Sequence, residues 1–155
     1  MTFQERWDLL ANFVARTCAD RDESHGYEHM KAVAETCRLL VERDYHDRRH
    51  YHHLLIDTIT AAWLHDIADH KYDMLEQRLD EFGQKNISNY REIKQVIKHV
   101  SYSSENKAIQ AGTPLDYDHI LTPYYALVRH IVSDACTHPT EAQIADTEFI
   151  CATGY

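Results

Sequence analysis

The sequence predicts an all-α fold, and three observations carry that expectation. Only four glycines and three prolines interrupt 155 residues. Apolar residues recur mostly at three- and four-residue spacing rather than in alternation. Helix-start signatures stand where several of these periodic stretches begin. The expected architecture is a single-domain bundle of about six to seven helices.

Thr2 with Glu5 forms a capping-box signature, followed by Phe3, Trp7, Leu10 and Val14 on one face, and this first helix is expected to end near Cys18. Ser24 caps a second helix with inner face Met30, Val33, Cys37, Leu40 and Val41, and His29 stands one turn before Val33 on that face. The charged stretch Glu42 to Arg49 reads as a connection. A third helix starts between His50 and Leu54 and runs to about Ala68, carrying Leu55, Ile59, Ala62 and His65. Asp73 opens a fourth that runs to Phe82, with Gly83 as its stop. Ser88 caps a fifth with Ile93, Val96, Ile97 and Val100. Tyr102 to Leu121 contains Gly112 and Pro114 and reads as a long loop. Thr122-Pro123 opens the next helix, which carries Leu127, Ile131 and Asp134 to one side. Pro139 separates it from a last helix reaching about Ile150. No internal repeat or domain boundary interrupts residues 1–155.

Composition narrows the function. Hydrophobic residues make up 44% and charged residues 26%, the balance of a soluble globular chain with one core. No apolar run nears the roughly 20 residues of a membrane span, and Met1 to Arg6 does not resemble a secretory signal. A cytoplasmic location is expected. A net charge of −9 without a basic block argues against a nucleic-acid polymer as partner, but leaves room for a small anionic substrate where cations gather. Cys18, Cys37, Cys136 and Cys151 contain no Cys-x-x-Cys pair and are expected to be reduced, buried thiols.

Ala61-Ala62-Trp63-Leu64-His65-Asp66-Ile67 places two adjacent metal-type ligands inside an apolar helical run. Buried ionised groups cost several kcal/mol unless they are paired or coordinate a metal. With His29 and Asp134 they form an ordered set from three helices, the usual way a bundle builds a metal site. The competing account is four polar residues satisfied by hydrogen bonds within a core. Mixed imidazole and carboxylate donors suit one divalent ion, with manganese, magnesium, cobalt, nickel, iron and zinc all open. Four protein ligands would leave two positions of an octahedral shell for water and a phosphate oxygen.

The chain resembles the small stand-alone HD-domain phosphohydrolases. The likeness rests on Asp22-Glu23-Ser24-His25-Gly26-Tyr27-Glu28-His29, on Ala62 to Tyr72 around His65-Asp66, and on Val96-Ile97-Lys98-His99-Val100-Ser101-Tyr102-Ser103. It covers residues 20–136. It implies His29, His65, Asp66 and Asp134 as metal ligands and hydrolysis of a phosphate ester or anhydride, often of a nucleotide. The sequence departs from the family near Asp134: related chains commonly read Asp-Ala-Asp-Arg-Leu-Asp-Ala, whereas this one reads Asp134-Ala135-Cys136-Thr137-His138-Pro139. A carboxylate and an arginine are thus absent there.

Asp66 is expected to take a proton from the attacking water, while Lys71 and His25 face the phosphate. Lys98 offers a further cation, Asp69 an outer hydrogen-bond partner, and His99 a substrate contact or a ligand for a second metal. A surface role is the plain alternative for Lys71, Lys98 and Asp69, a capping or surface role for His25, and a partly buried helix position for His99. Tyr102 and Tyr117 offer rings for a base. His46, His50, His52 and His53 read as a solvated face, with adventitious metal binding as the alternative. Two other functions stay open: a non-catalytic nucleotide-sensing or partner-binding domain with a structural metal, and an iron-dependent oxygenase of the same fold.

Overall fold

A computed structural model of the protein describes residues 1–19, 26–67, 73–100 and 121–136. Among these residues there are six helices and no strand: α1 (Phe3–Thr17), α2 (Tyr27–Asp44), α3 (Tyr51–Leu64), α4 (Asp73–Asn86), α5 (Tyr90–Lys98) and α6 (Pro123–Cys136). The all-α expectation holds. None of these helices is long and apolar enough to cross a membrane.

Packing is organised around α3, which lies against α1, α2, α5 and α6. Thr58 to Leu64 are buried without interruption, so this helix has no solvent face over its last two turns. Such a helix belongs at the centre of a bundle. Its neighbours bring one apolar stripe each: Leu10 and Val14 of α1, Met30, Val33, Cys37 and Val41 of α2, Ile93 and Val96 of α5, Val128, Ile131 and Val132 of α6. Trp63 is fully buried between Trp7, edge-on at 5.3 Å, and Tyr27 at 5.5 Å. Thr60, buried in the same helix, returns its hydroxyl to the Ile56 carbonyl and accepts from Arg6.

The capping box forms as expected: Thr2 Oγ1 accepts from the Glu5 amide at 3.1 Å and Glu5 Oε1 from the Thr2 amide at 3.3 Å. Other boundaries move for tertiary reasons. The first residue before α2 is Gly26, buried and without a side-chain cap, while Ser24 lies outside the described residues. α2 also continues to Asp44, inside the expected connection. α3 stops at Leu64, so that His65 and Asp66 occupy the turn that follows rather than the helix. Asn89, not Ser88, is the N-cap of α5, and its side chain reaches across the bundle instead of capping. Its amide donates to Asp57 Oδ1 of α3 at 3.1 Å and to the Tyr125 hydroxyl of α6 at 3.0 Å. The Tyr124 hydroxyl donates to the other Asp57 oxygen at 2.6 Å, so one carboxylate ties three helices together. Most of the long loop (residues 101–120) and the last helix after Pro139 lie outside the described residues.

Gly83 was expected to end α4, yet the helix passes through it to Asn86. The glycine has a packing function instead: a Cβ there would fall onto the ring of Tyr90. Tyr90 is held in place by donating to Asp80 Oδ1, which also accepts from Lys94 at 2.7 Å. Gly83→Ala is therefore expected to be net destabilising. Overpacking costs about 1–3 kcal/mol, against a helix-propensity gain of about 1 kcal/mol at most. A thermal melt at or above the wild-type midpoint would contradict this close approach.

Candidate metal centre

Two breaks in helical structure bring the site together. α2 begins at Tyr27, which sets His29 in its first turn, half-buried. α3 ends at Leu64, and the Ile67 amide closes a tight turn on the Leu64 carbonyl at 3.2 Å. Ile67 is fully buried and anchors that turn, so His65 and Asp66 are presented at the end of the central helix. The His29 and His65 rings stand 5.6 Å apart, tilted by 58°.

One donor atom each from His29, His65 and Asp66 lies within 4.8 Å of the other two, and all three residues are half-buried. Donors bound to a single tetrahedral zinc-like ion at about 2.0–2.2 Å sit roughly 3.3–3.6 Å apart. Small side-chain rotations close the cluster to that size. His65 is oriented for ligation: Nδ1 lies 2.6 Å from the Ala62 carbonyl, to which it donates, so Nε2 is the nitrogen that can face a metal.

The electrostatics also suit a cation. Burial works against a charged His65 ring, but the adjacent Cys136 sulfur, Asp66 and the Ala62 carbonyl outweigh it and raise the pKa to about 9. The sulfur, carboxylate and carbonyl that face His65 are electron-rich groups, and a divalent cation there would be stabilised by them.

The other expected site residues fall in different places. Asp134 is not part of the cluster: its carboxylate is 56% exposed and 3.2 Å from His130 Nε2, one turn earlier on α6. The physical reason is the rotation of α6, which buries Val128, Ile131, Val132 and Ala135 and thereby turns position 134 outward. His99 is the C-cap of α5, half-buried and outside the cluster, with its carbonyl accepting from Arg129. Burial, then Arg129 and Lys98, lower its pKa, which keeps the ring neutral. Lys98 is exposed. His25, Asp69 and Lys71 lie outside the described residues. His46, His50, His52 and His53 are exposed, as expected of a solvated face.

The structure adds one residue that was not expected. Cys136 Sγ, at the end of α6, lies 3.6 Å from His65 Nε2. The sequence carried a signal for it only through the resemblance, whose pattern has a carboxylate two residues after the position of Asp134, where this chain has Cys136. None of Cys18, Cys37 and Cys136 is in a disulfide. Burial, then Cys136 and Asp134, push the Cys37 thiol well above its ordinary pKa, so it stays protonated in the core.

A second concavity of about 250 Å³ is lined by Arg48, Arg49, His50, Leu54, Tyr124 and Leu127, at the opposite end of α3 from His65. Compared with protein-family models, curated proteins and solved structures, the chain matches none.

Proposed function

We propose that the protein is a divalent-metal-dependent phosphohydrolase of the HD type, acting on a nucleotide or another small phosphorylated metabolite. The observation that carries this reading is the convergence of His29 of α2 with His65 and Asp66 of the turn after α3, the Nδ1 contact to Ala62 leaving His65 Nε2 to face a metal. When bound, the ion supplies Lewis acidity at a phosphoryl oxygen and lowers the pKa of a water molecule from about 15.7 towards 7.

The chain's own residues do the rest. His29 and His65 would hold the metal through neutral nitrogens, with the Ala62 carbonyl keeping the His65 ring from turning away. Asp66, in the turn closed between Leu64 and Ile67, would offer one oxygen as a ligand and the other as acceptor for a proton of the attacking water. Lys71 and His25 neutralise charge that gathers on the phosphate, with Lys98 and Asp69 as outer contributors. In this reading His99 serves the substrate rather than a second metal.

A second reading, a nucleotide-sensing or partner-binding domain with a structural metal, is favoured by the outward Asp134, which leaves the described carboxylate ligands at one. Metal analysis of the purified protein, followed by a screen of nucleoside mono-, di- and triphosphates with phosphate and pyrophosphate measured separately, distinguishes the two. Stoichiometric metal with turnover of at least one class is the expected result. Stoichiometric metal without turnover on any of them overturns catalysis in favour of the sensor, and absence of metal overturns both.

A further inference from the structure

We infer that Cys136, rather than Asp134, is the ligand that α6 supplies to the metal, giving a His29, His65, Asp66 and Cys136 donor set. The inference rests on the metal reading above and deepens it, because it changes which metal the site prefers.

Three observations carry it. Cys136 Sγ is 3.6 Å from His65 Nε2. With metal–sulfur and metal–nitrogen bonds of about 2.3 and 2.0–2.1 Å, two donors on one tetrahedral ion sit roughly 3.5 Å apart. The pair therefore already stands at the separation of neighbouring ligands, while Cys136 lies outside the 4.8 Å cluster of His29, His65 and Asp66 and has to approach those other two donors as the ion binds. The nitrogen facing the sulfur is also the correct one, since Nδ1 is engaged by Ala62 at 2.6 Å. The rival on the same helix points elsewhere: Asp134 and Cys136 are two residues apart, so their side chains diverge by about 160° around the helix axis. Asp134 meets His130 near solvent, whereas Cys136 is half-buried against the central helix.

The chemistry has a consequence. On metal binding the thiol gives up its proton to solvent and enters as thiolate. Together with the Asp66 carboxylate it offsets both charges of a divalent ion. A sulfur donor shifts preference from magnesium and manganese, which take oxygen ligands, towards zinc, iron and cobalt.

The test is titration of the metal-free protein with cobalt(II), read by absorption. The wild type is expected to show a thiolate-to-cobalt charge-transfer band in the near-ultraviolet at one equivalent. Cys136→Ser should lose that band while keeping weaker visible bands from the remaining ligands, and Cys37→Ala should retain it. Zinc should outcompete manganese by a wider margin in the wild type than in Cys136→Ser. Circular dichroism run in parallel shows that the variants remain helical. Cobalt binding without a charge-transfer band, or a band that survives in Cys136→Ser, overturns the assignment to Cys136 and leaves the three-residue centre standing. Failure of the wild type to bind cobalt or zinc overturns the metal reading itself and this inference with it.

Discussion

His65→Ala and Asp66→Ala are each expected to abolish stoichiometric metal binding and phosphate release while leaving a folded, helical protein. Loss of an outer hydrogen-bond partner alone costs about 10–100-fold in metal affinity or activity, and loss of a direct ligand should exceed that. The fold should survive because both side chains stand in the turn after α3 and are only half-buried, while the turn itself is anchored by Ile67 and the Leu64 carbonyl. Isothermal titration with zinc and circular dichroism on the same samples give the two readouts. Metal retained at full stoichiometry by both variants would remove the basis of the site.

Trp63→Ala should be the most damaging single change to stability. The indole is completely buried and is flanked by Trp7 and Tyr27, so truncation opens a large cavity beside α1 and α2. Phe/Trp→Ala changes in cores cost about 3–5 kcal/mol, which at about 2–4 °C per kcal/mol lowers the melting midpoint by on the order of 10 °C. Trp63→Phe should cost much less. It keeps a ring between the same two neighbours and removes Nε1, a buried donor that has no hydrogen-bond partner among the described residues. Equal losses for the Ala and Phe variants would mean that the indole nitrogen, rather than packing, carries the effect.

The helices were legible in the sequence because the signals that make them are local. Thr2 and Glu5 satisfy one another's backbone amides within a single turn, and Pro123 stands at the first position of α6, where its missing N–H costs nothing. The buried face of α2 followed largely from spacing: of the expected residues Met30, Val33, Cys37 and Val41 are fully buried, and Leu40 is partly buried at its edge. The pairing of His29 with His65-Asp66 was likewise expected from their order and apolar setting, and the three do converge.

What depended on a distant neighbour could not be read locally. Gly83 resembles a helix stop until the Tyr90 ring lies against it, and Asn89 follows the expected cap Ser88 without a role of its own until Asp57 and Tyr125 take its amide. Asp134 and Cys136 differ only in which side of α6 they occupy. That rotation is set by burying Val128, Ile131, Val132 and Ala135 against the bundle, a sum over many apolar contacts from other helices. The sequence by itself determined that this chain forms helices, with a histidine near the start of one and a His-Asp pair in the apolar run of another. Only tertiary packing decided that a sulfur, and not a second carboxylate, stands beside His65, because the direction of a side chain around a helix is fixed by what the rest of that helix buries.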